Sequence, residues 1–326
     1  MSELALAVFA AETGTHLIRP PTGVRWAGHV RSFDAGAYER RLTDAGFRFV
    51  ARSARSFPQL LRAIHDPPAG LFLRGSGAPE LLARPAVAIV GARACSGYGA
   101  SVARTLARDL ARAGLVVVSG LARGADAEAH RGALDAGGTT VAVLGCGIDR
   151  DYPAAHAELA RRIAESGLIV SEYAPGVEPA PWRFPARNRI VAGLAAATVV
   201  VEARERSGAL ITADLALEEG REVFAVPGEI TSALSAGTNA LLKLGASPLT
   251  CATDVLTCFG LEQADADEPP PGGEIGRVLA CLREGAASAD ELARATGLPA
   301  AVVARALVEL ELAGRVGCGD GRYRAG

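Results

Sequence analysis

Between about Ala86 and Gly208 one theme recurs: a short apolar strand, a turn bearing glycine or arginine, then a helix. The first copy is Ala86-Val87-Ala88-Ile89-Val90, with the turn Gly91 to Gly99 and an amphipathic run to Ala113. The second is Leu115-Val116-Val117-Val118, the turn Ser119 to Asp126, and a helical stretch to Ala136. Unbroken runs of this kind are strands covered on both faces, which requires parallel pairing with helices above and below. In such folds the strand-to-helix turns gather at one edge of the sheet. Backbone N–H groups at the helix starts are then expected to point outward and offer a site for phosphate.

The theme continues to about Gly260 with strands Thr140–Leu144, Leu168–Val170, Thr198–Val201 and Glu222–Val226. The expected helices are Ala154–Glu165, Asn188–Ala196, Ala209–Glu219 and Thr238–Leu244, with a proline-rich loop over Pro175–Pro185. Six strands with intervening helices indicate an α/β fold with an open, doubly wound, mostly parallel sheet. Upstream, Leu4–Ala11 reads as a short helix, Trp26 as an apolar anchor, Tyr38–Ala45 as a helix stopped by Gly46, and Phe47–Val50 as a strand. Phe57–Ile64 reads as a short helix with proline near its start, and Leu71–Leu73 as another strand.

Residues 262–274 hold five acids, three consecutive prolines and no basic residue, which marks a solvated linker. Beyond it, Ile275–Arg283 is a helix. Ser288-Ala289-Asp290-Glu291 has capping-box spacing, and the helix it caps ends at Gly297. Pro299 opens a third helix to Leu312. Val316 and Tyr323 flank a glycine-rich turn. Three helices and a hairpin make a winged helix-turn-helix.

Composition narrows the chemistry. At 326 residues, 49% apolar and 21% charged, the chain suits one large core plus one or two small modules. Net charge is −2, so a polyanion must be held by a local basic patch. Lys243 is the sole lysine, and arginine supplies planar bidentate donors to phosphate that lysine does not. The six cysteines form no C-x-x-C pair, which argues against zinc and points to reduced thiols in a cytoplasmic protein. Met1–Ala11 does not fit an export signal, and no run reaches the roughly 18 apolar residues that span a bilayer. The glycine spacing after the first strand is not a dinucleotide fingerprint, and G-x-x-x-x-G-K-[ST] is absent, so neither a nicotinamide cofactor nor a P-loop is expected.

What the turns carry is arginine: Arg93, Arg123, Arg183, Arg187 and Arg189, with Asp126 the lone acid among them. Ser96 and Asn188 add neutral hydrogen bonds, and Phe184 offers an aromatic face for a nucleobase. The plain structural alternative is that some of these arginines pair with carboxylates or cap helices. A catalytic reading needs a nucleophile beside a base. His130 and His156 lie near no nucleophile in sequence. Glu202, beside Ser207-Gly208, is the candidate general base of an alternative reading, a nucleotide-processing hydrolase.

Several segments resemble the DNA processing protein A (DprA, also called Smf) family. They are Ser119-Gly120-Leu121-Ala122-Arg123-Gly124-Ala125-Asp126, Gly147-Ile148-Asp149 with Tyr152-Pro153, Phe184 to Leu194, Ser207 to Ala213, Gly220 to Gly228 and Ser235 to Asn239. The match runs in order from about Phe57 to Gly260. It implies an extended Rossmann-like domain that binds single-stranded DNA, protects it during natural transformation and loads the RecA recombinase. It implies no enzymatic activity, cofactor or metal. It also implies a homodimer through the last part of that domain, for which Leu241 and Leu242 are the candidate contacts. The implied layout is a reduced N-terminal module over 1–56, the Rossmann-like domain over 57–261, a linker over 262–273 and the winged helix over 274–326. Turns and resemblance together give a candidate DNA-binding set of Arg93, Ser96, Gly120, Arg123, Gly124, Arg183, Phe184, Arg187, Asn188, Arg189, Ser207 and Gly208. In some members of the family a lysine stands three places before the loop phenylalanine. Here Pro181 stands there, and Arg183 is the candidate replacement for its charge. The winged helix has nearly balanced charge, which points to a protein-contact or regulatory role rather than DNA reading.

Overall fold

The computed structural model describes residues 3–14, 21–261, 272–312, 315–319 and 321–325. Most of the expected linker, 262–271, lies outside the described residues. Two compact units are present, Met1–Gln263 and Ala264–Gly326.

The first unit is built on a nine-stranded sheet in the order β1-β2-β6-β5-β4-β3-β7-β8-β9 among the described residues. Here β1 is Phe47–Ala51, β2 Gly70–Arg74, β3 Ala86–Val90, β4 Val116–Ser119 and β5 Thr140–Val143. The others are β6 Leu168–Ser171, β7 Ala197–Val200, β8 Glu222–Ala225 and β9 Ser247–Pro248. From β6 to β9 all pairings are parallel. The helices α5 (Gly97–Arg112), α6 (Ala125–Asp135), α7 (Ala157–Ser166), α8 (Arg183–Leu194) and α9 (Gly208–Glu218) connect β3 to β8 in turn. After β8 come α10 (Ala236–Lys243) and α11 (Ala252–Leu256). Ahead of the parallel strands lie α1 (Glu3–Thr13), α2 (Val24–Ser32), α3 (Ala35–Asp44) and α4 (Gln59–Arg62).

Strand β3 shows why these runs carry no polar alternation. Its Ala86, Ala88 and Val90 enter one core with Ile190 and Leu194 of α8, Ala213 of α9 and Leu241 of α10. Its Val87 and Ile89 enter the opposite core with Ala107 and Leu110 of α5, Ala129 of α6 and Val255 of α11. Successive side chains point to opposite faces, and both faces are covered.

Three features depart from expectation. Helix α8 begins at Arg183, five residues before the predicted Asn188, so the expected loop ends sooner. Pro185 is its third residue, where no intrahelical N–H is needed. The helix stops at Leu194 because the Ala196 N–H is taken by the Ala86 carbonyl at 3.1 Å, which starts β7. Second, β1 and β2 extend the sheet antiparallel beyond β6. Third, β9 is a two-residue edge strand ending in proline, too short for any periodicity to reveal.

Residues upstream of 57 are bound into the first unit. Besides the β1–β2 ladder, the Glu3 carboxylate accepts from the Ser53 N–H at 3.0 Å and its hydroxyl at 2.6 Å. Trp26 is buried, meets the Phe9 ring edge-on at 5.1 Å and shares a small core with Leu6 and Ala69.

The second unit is the expected winged helix. It comprises α12 (Gly273–Glu284), α13 (Ala289–Thr296), α14 (Ala300–Leu312) and the hairpin of β10 (Val316–Gly319) with β11 (Arg322–Ala325). The capping box forms as read: Ser288 accepts from the Glu291 N–H at 3.3 Å, and Glu291 accepts from the Ser288 N–H at 2.7 Å. Val278, Leu282, Leu292, Val303, Leu307 and Val316 close the core. No described helix is long and apolar enough to cross a membrane.

Replacing Trp26 by alanine removes the ring that packs α2 against α1 and against Ala69, next to the start of β2. The expected result is a loss of about 3–5 kcal/mol from that cluster. Amide exchange should read it as faster exchange in α1 and α2, with β3, β4 and β7 unchanged.

Candidate nucleic-acid interface

Parallel pairing places the carboxyl ends of β5, β4, β3 and β7 side by side. The turns that follow them form one rim, and the first turn of α8 reaches onto it. There the Phe184 ring stacks on Tyr152 with centroids 5.2 Å apart and planes 26° apart. The Arg93 guanidinium lies over the same ring, 5.7 Å from its centroid. Gly145 makes this possible, because a Cβ there would fall 2.9 Å from the Phe184 ring. Tyr152 is 43% exposed, and Arg93 and Arg123 are exposed. On the turn after β7, Arg204 and Arg206 are exposed as well, with Glu205 between them. Among the described residues no carboxylate lies within salt-bridge distance of these four guanidinium groups.

Beneath the rim is a buried polar floor. Arg187 donates to the carbonyl of Gly120 at 2.7 Å and also to that of Val143. A side chain at Gly120 would collide with this guanidinium. Burial draws Arg187 below its ordinary pKa, opposed by the attraction of Asp126. Burial pushes the Asp126 carboxyl up, opposed by Arg187 and by the N–H groups of Ala122 and Gly120, which it accepts at 3.4 and 3.1 Å. The Thr140 hydroxyl donates to the Val117 carbonyl at 2.7 Å, so its oxygen is left to accept from His130 Nδ1, also at 2.7 Å. Burial, with Arg187 next, lowers the His130 pKa to about 3. No group of three or more His, Cys, Asp or Glu side chains that could hold a metal ion occurs among the described residues.

Comparison with known proteins decides the family. Residues 48–260 match the family model described as DNA recombination-mediator protein A, and residues 262–322 match the DprA winged helix domain. The chain belongs to the DNA processing protein A family. It is 46% identical over 266 residues to the putative DNA processing protein DprA of Mycobacterium tuberculosis, covering 79% of this chain and 68% of that one. It is 47% identical over 203 residues to DprA of Streptococcus pneumoniae, covering 62% and 71%. The solved DprA structure from S. pneumoniae superposes with a TM-score of 0.68 at 37% identity, over 81% of this chain and 94% of that one. The Helicobacter pylori structure, described for that protein's single-stranded DNA binding mode, gives 0.59 at 32% identity, over 65% and 95%.

Within this DprA framework the expected site residues divide. Arg93, Arg123 and Phe184 stand on the rim as read. Arg183 is half-buried there, its guanidinium against the rings of Trp182 and Tyr173 and donating to the Glu178 carbonyl. Arg189 departs from expectation: it is buried, paired with Glu172 at 2.7 Å and Asp66 at 3.1 Å, and so has no free charge for phosphate. Arg187 is likewise internal.

Several of the expected free N–H groups are also taken. Ser96 accepts from the Gly99 N–H at 3.1 Å as the cap of α5, and its own N–H and hydroxyl donate to Glu202 at 2.8 and 2.6 Å. Glu202 thereby has both oxygens engaged and is not the free base a hydrolase needs. Gly124 adopts φ +74, and a Cβ there would lie 2.2 Å from the Ala92 carbonyl oxygen, so it serves packing between turns. Ser207 caps α9 through the Ala209 N–H, and Asn188 donates to the exposed Gly208 carbonyl at 3.1 Å, tying α8 to α9. Sequence reasoning missed Tyr152, Arg204 and Arg206 as rim residues. Their signal was present, because each follows a predicted strand on the same edge.

Two outcomes follow. Arg189→Ala takes the guanidinium away from the Glu172 and Asp66 carboxylates and should cost about 3–5 kcal/mol of stability in urea melts. His130 is held neutral down to about pH 3, whereas in the unfolded chain it takes a proton near 6.5. The unfolded state therefore binds more protons between those values, and stability falls as pH drops from about 6.5 toward 3. In His130→Gln that acid slope should flatten by up to about 1.4 kcal/mol per pH unit.

Proposed function

We propose that the chain binds single-stranded DNA along the carboxyl rim of its sheet, protects it, and loads RecA recombinase during natural transformation, acting as a homodimer without catalysing a reaction itself. The observation that carries the binding reading is the stack of Arg93, Phe184 and Tyr152 beside exposed guanidinium groups with no carboxylate partner. A single strand needs phosphate donors along a groove and a sequence-tolerant stacking surface, and this rim supplies both. A duplex keeps its bases stacked on one another and presents none to Phe184. The description of the H. pylori relative supports the same ligand.

RecA loading and the dimer rest on family membership. Leu241 is in the core and so is not free to form the dimer, while Leu242 is half-buried against that core. The neighbouring Leu244 is 85% exposed and is the apolar contact we assign to the second copy. The charges of the winged helix nearly balance, and Arg305 pairs with Glu274 at 2.8 Å and Arg322 with Glu291 at 3.1 Å. This favours a protein contact there.

Fluorescence anisotropy with labelled oligonucleotides at several salt concentrations tests the reading. Arg93→Ala should weaken binding and reduce the slope of log affinity against log salt by roughly 0.7 for one lost phosphate contact. Phe184→Ala should cost roughly 1–3 kcal/mol with the slope unchanged, because stacking releases no counterion. Wild-type affinity in both variants would refute the site. Truncation from Glu262 onward should leave binding within tenfold. Leu244→Arg should give a folded monomer by light scattering.

A further inference from the structure

Helix α8 starts with an unusual residue. Its N-cap position favours Ser, Thr, Asp or Asn, whose side chains accept an orphan N–H, worth about 1 kcal/mol over residues that cannot. Here the N-cap is Trp182, and it makes no side-chain capping bond. The indole is 45% exposed, whereas Trp26 is buried in a core. An exposed tryptophan at this position does nothing to cap the helix.

Its surroundings say what it suits. The Arg183 guanidinium lies 4.8 Å from the centroid of the Trp182 ring and 5.2 Å from that of Tyr173. The hydrogen bond found for that guanidinium goes to the Glu178 carbonyl, and its Nε is buried without a partner. The nearby Glu178 carboxylate is paired with Arg150 at 2.6 Å. A guanidinium against an aromatic ring is also what Arg93 and Phe184 make, although there the ring is stacked on Tyr152 as well. Residues two apart on a helix do not face each other, so Trp182 and Phe184 leave the first turn of α8 in different directions. A strand that reached from one ring to the other would pass the helix start.

We propose that Trp182, backed by Arg183, is a second nucleobase-stacking station for single-stranded DNA, separate from the one at Phe184. This rests on the proposed single-strand binding and specifies where the strand continues. Arginine beside the ring favours a nucleic acid strand over an apolar protein segment, since the same station offers charge to phosphate and a π-face to the base.

Oligo-dT binding is followed in the full chain by anisotropy and by tryptophan emission. The emission lost in Trp182→Phe identifies the Trp182 signal. Saturating oligo-dT should quench that component in the wild type. Trp182→Ala should weaken binding by about 5- to 150-fold, with the salt slope unchanged, and Trp182→Phe should retain most of the affinity because a ring remains. A short oligonucleotide that still depends on Phe184 but not on Trp182 would show the two stations to be separate. If wild type and Phe184→Ala behave as the site requires while Trp182→Ala binds like wild type, this inference is overturned and single-strand binding stands. Unquenched Trp182 emission at saturation overturns it equally and leaves the surface to a protein partner. Absence of any single-strand binding overturns both readings.

Discussion

One buried guanidinium holds the functional edge of this fold together. Arg187 enters from the first turns of α8 and binds the carbonyls of Gly120 and Val143, at the ends of β4 and β5. Those carbonyls lie at the carboxyl ends of neighbouring strands, where the ladder finishes and backbone acceptors need other donors. Three groups are thus fixed at once: the helix that carries Phe184, the turn that carries Arg123, and the strand end that leads to Tyr152. The cost of burying the charge is offset by Asp126, which also holds the N–H groups of Gly120 and Ala122.

The helix starts at this rim are occupied by the protein's own acids. Asp126 fills the turn before α6 and Glu202 the turn before α5. In a Rossmann-type dinucleotide site those backbone donors face the phosphate. Here they are spent on internal rigidity, and contact with an anion passes outward to side chains on flexible stems. The two arrangements suit different ligands. A mononucleotide is enclosed by backbone; a long strand is better met by guanidinium groups and rings spread along an edge, which tolerate any base. Net charge of −2 is compatible with this, because several acids near the rim are internal or paired, as with Asp151 to Arg74 and Glu178 to Arg150, while Glu205 stands exposed between Arg204 and Arg206.

The doubly wound sheet and the winged helix were legible in the sequence for physical reasons, and the family was legible through the resemblance of its motifs. Strands covered on both faces read as continuous apolar runs, and β3 was recovered residue for residue. A capping box is a local hydrogen-bond pattern, so Ser288 and Glu291 announced themselves. The rim arginines were legible as a group, because turn positions after parallel strands are set by topology. Residue types and their spacing along the chain were enough for all of this.

Which arginine does what was decided only in three dimensions. Arg187 and Arg189 stand two residues apart in one motif with Arg183, and nothing local distinguishes a buried clamp from an exposed donor. The distinction comes from partners distant in sequence: Glu172 and Asp66 for Arg189, Gly120 and Val143 for Arg187. The same holds for Tyr152 against Phe184, for Glu202 against Ser96, and for Leu241, whose apolar character fitted a dimer surface as well as the core it occupies. Sequence periodicity reports which face of an element is apolar. Whether a polar or charged side chain meets water, a ligand or a buried counter-charge depends on what the fold places opposite it.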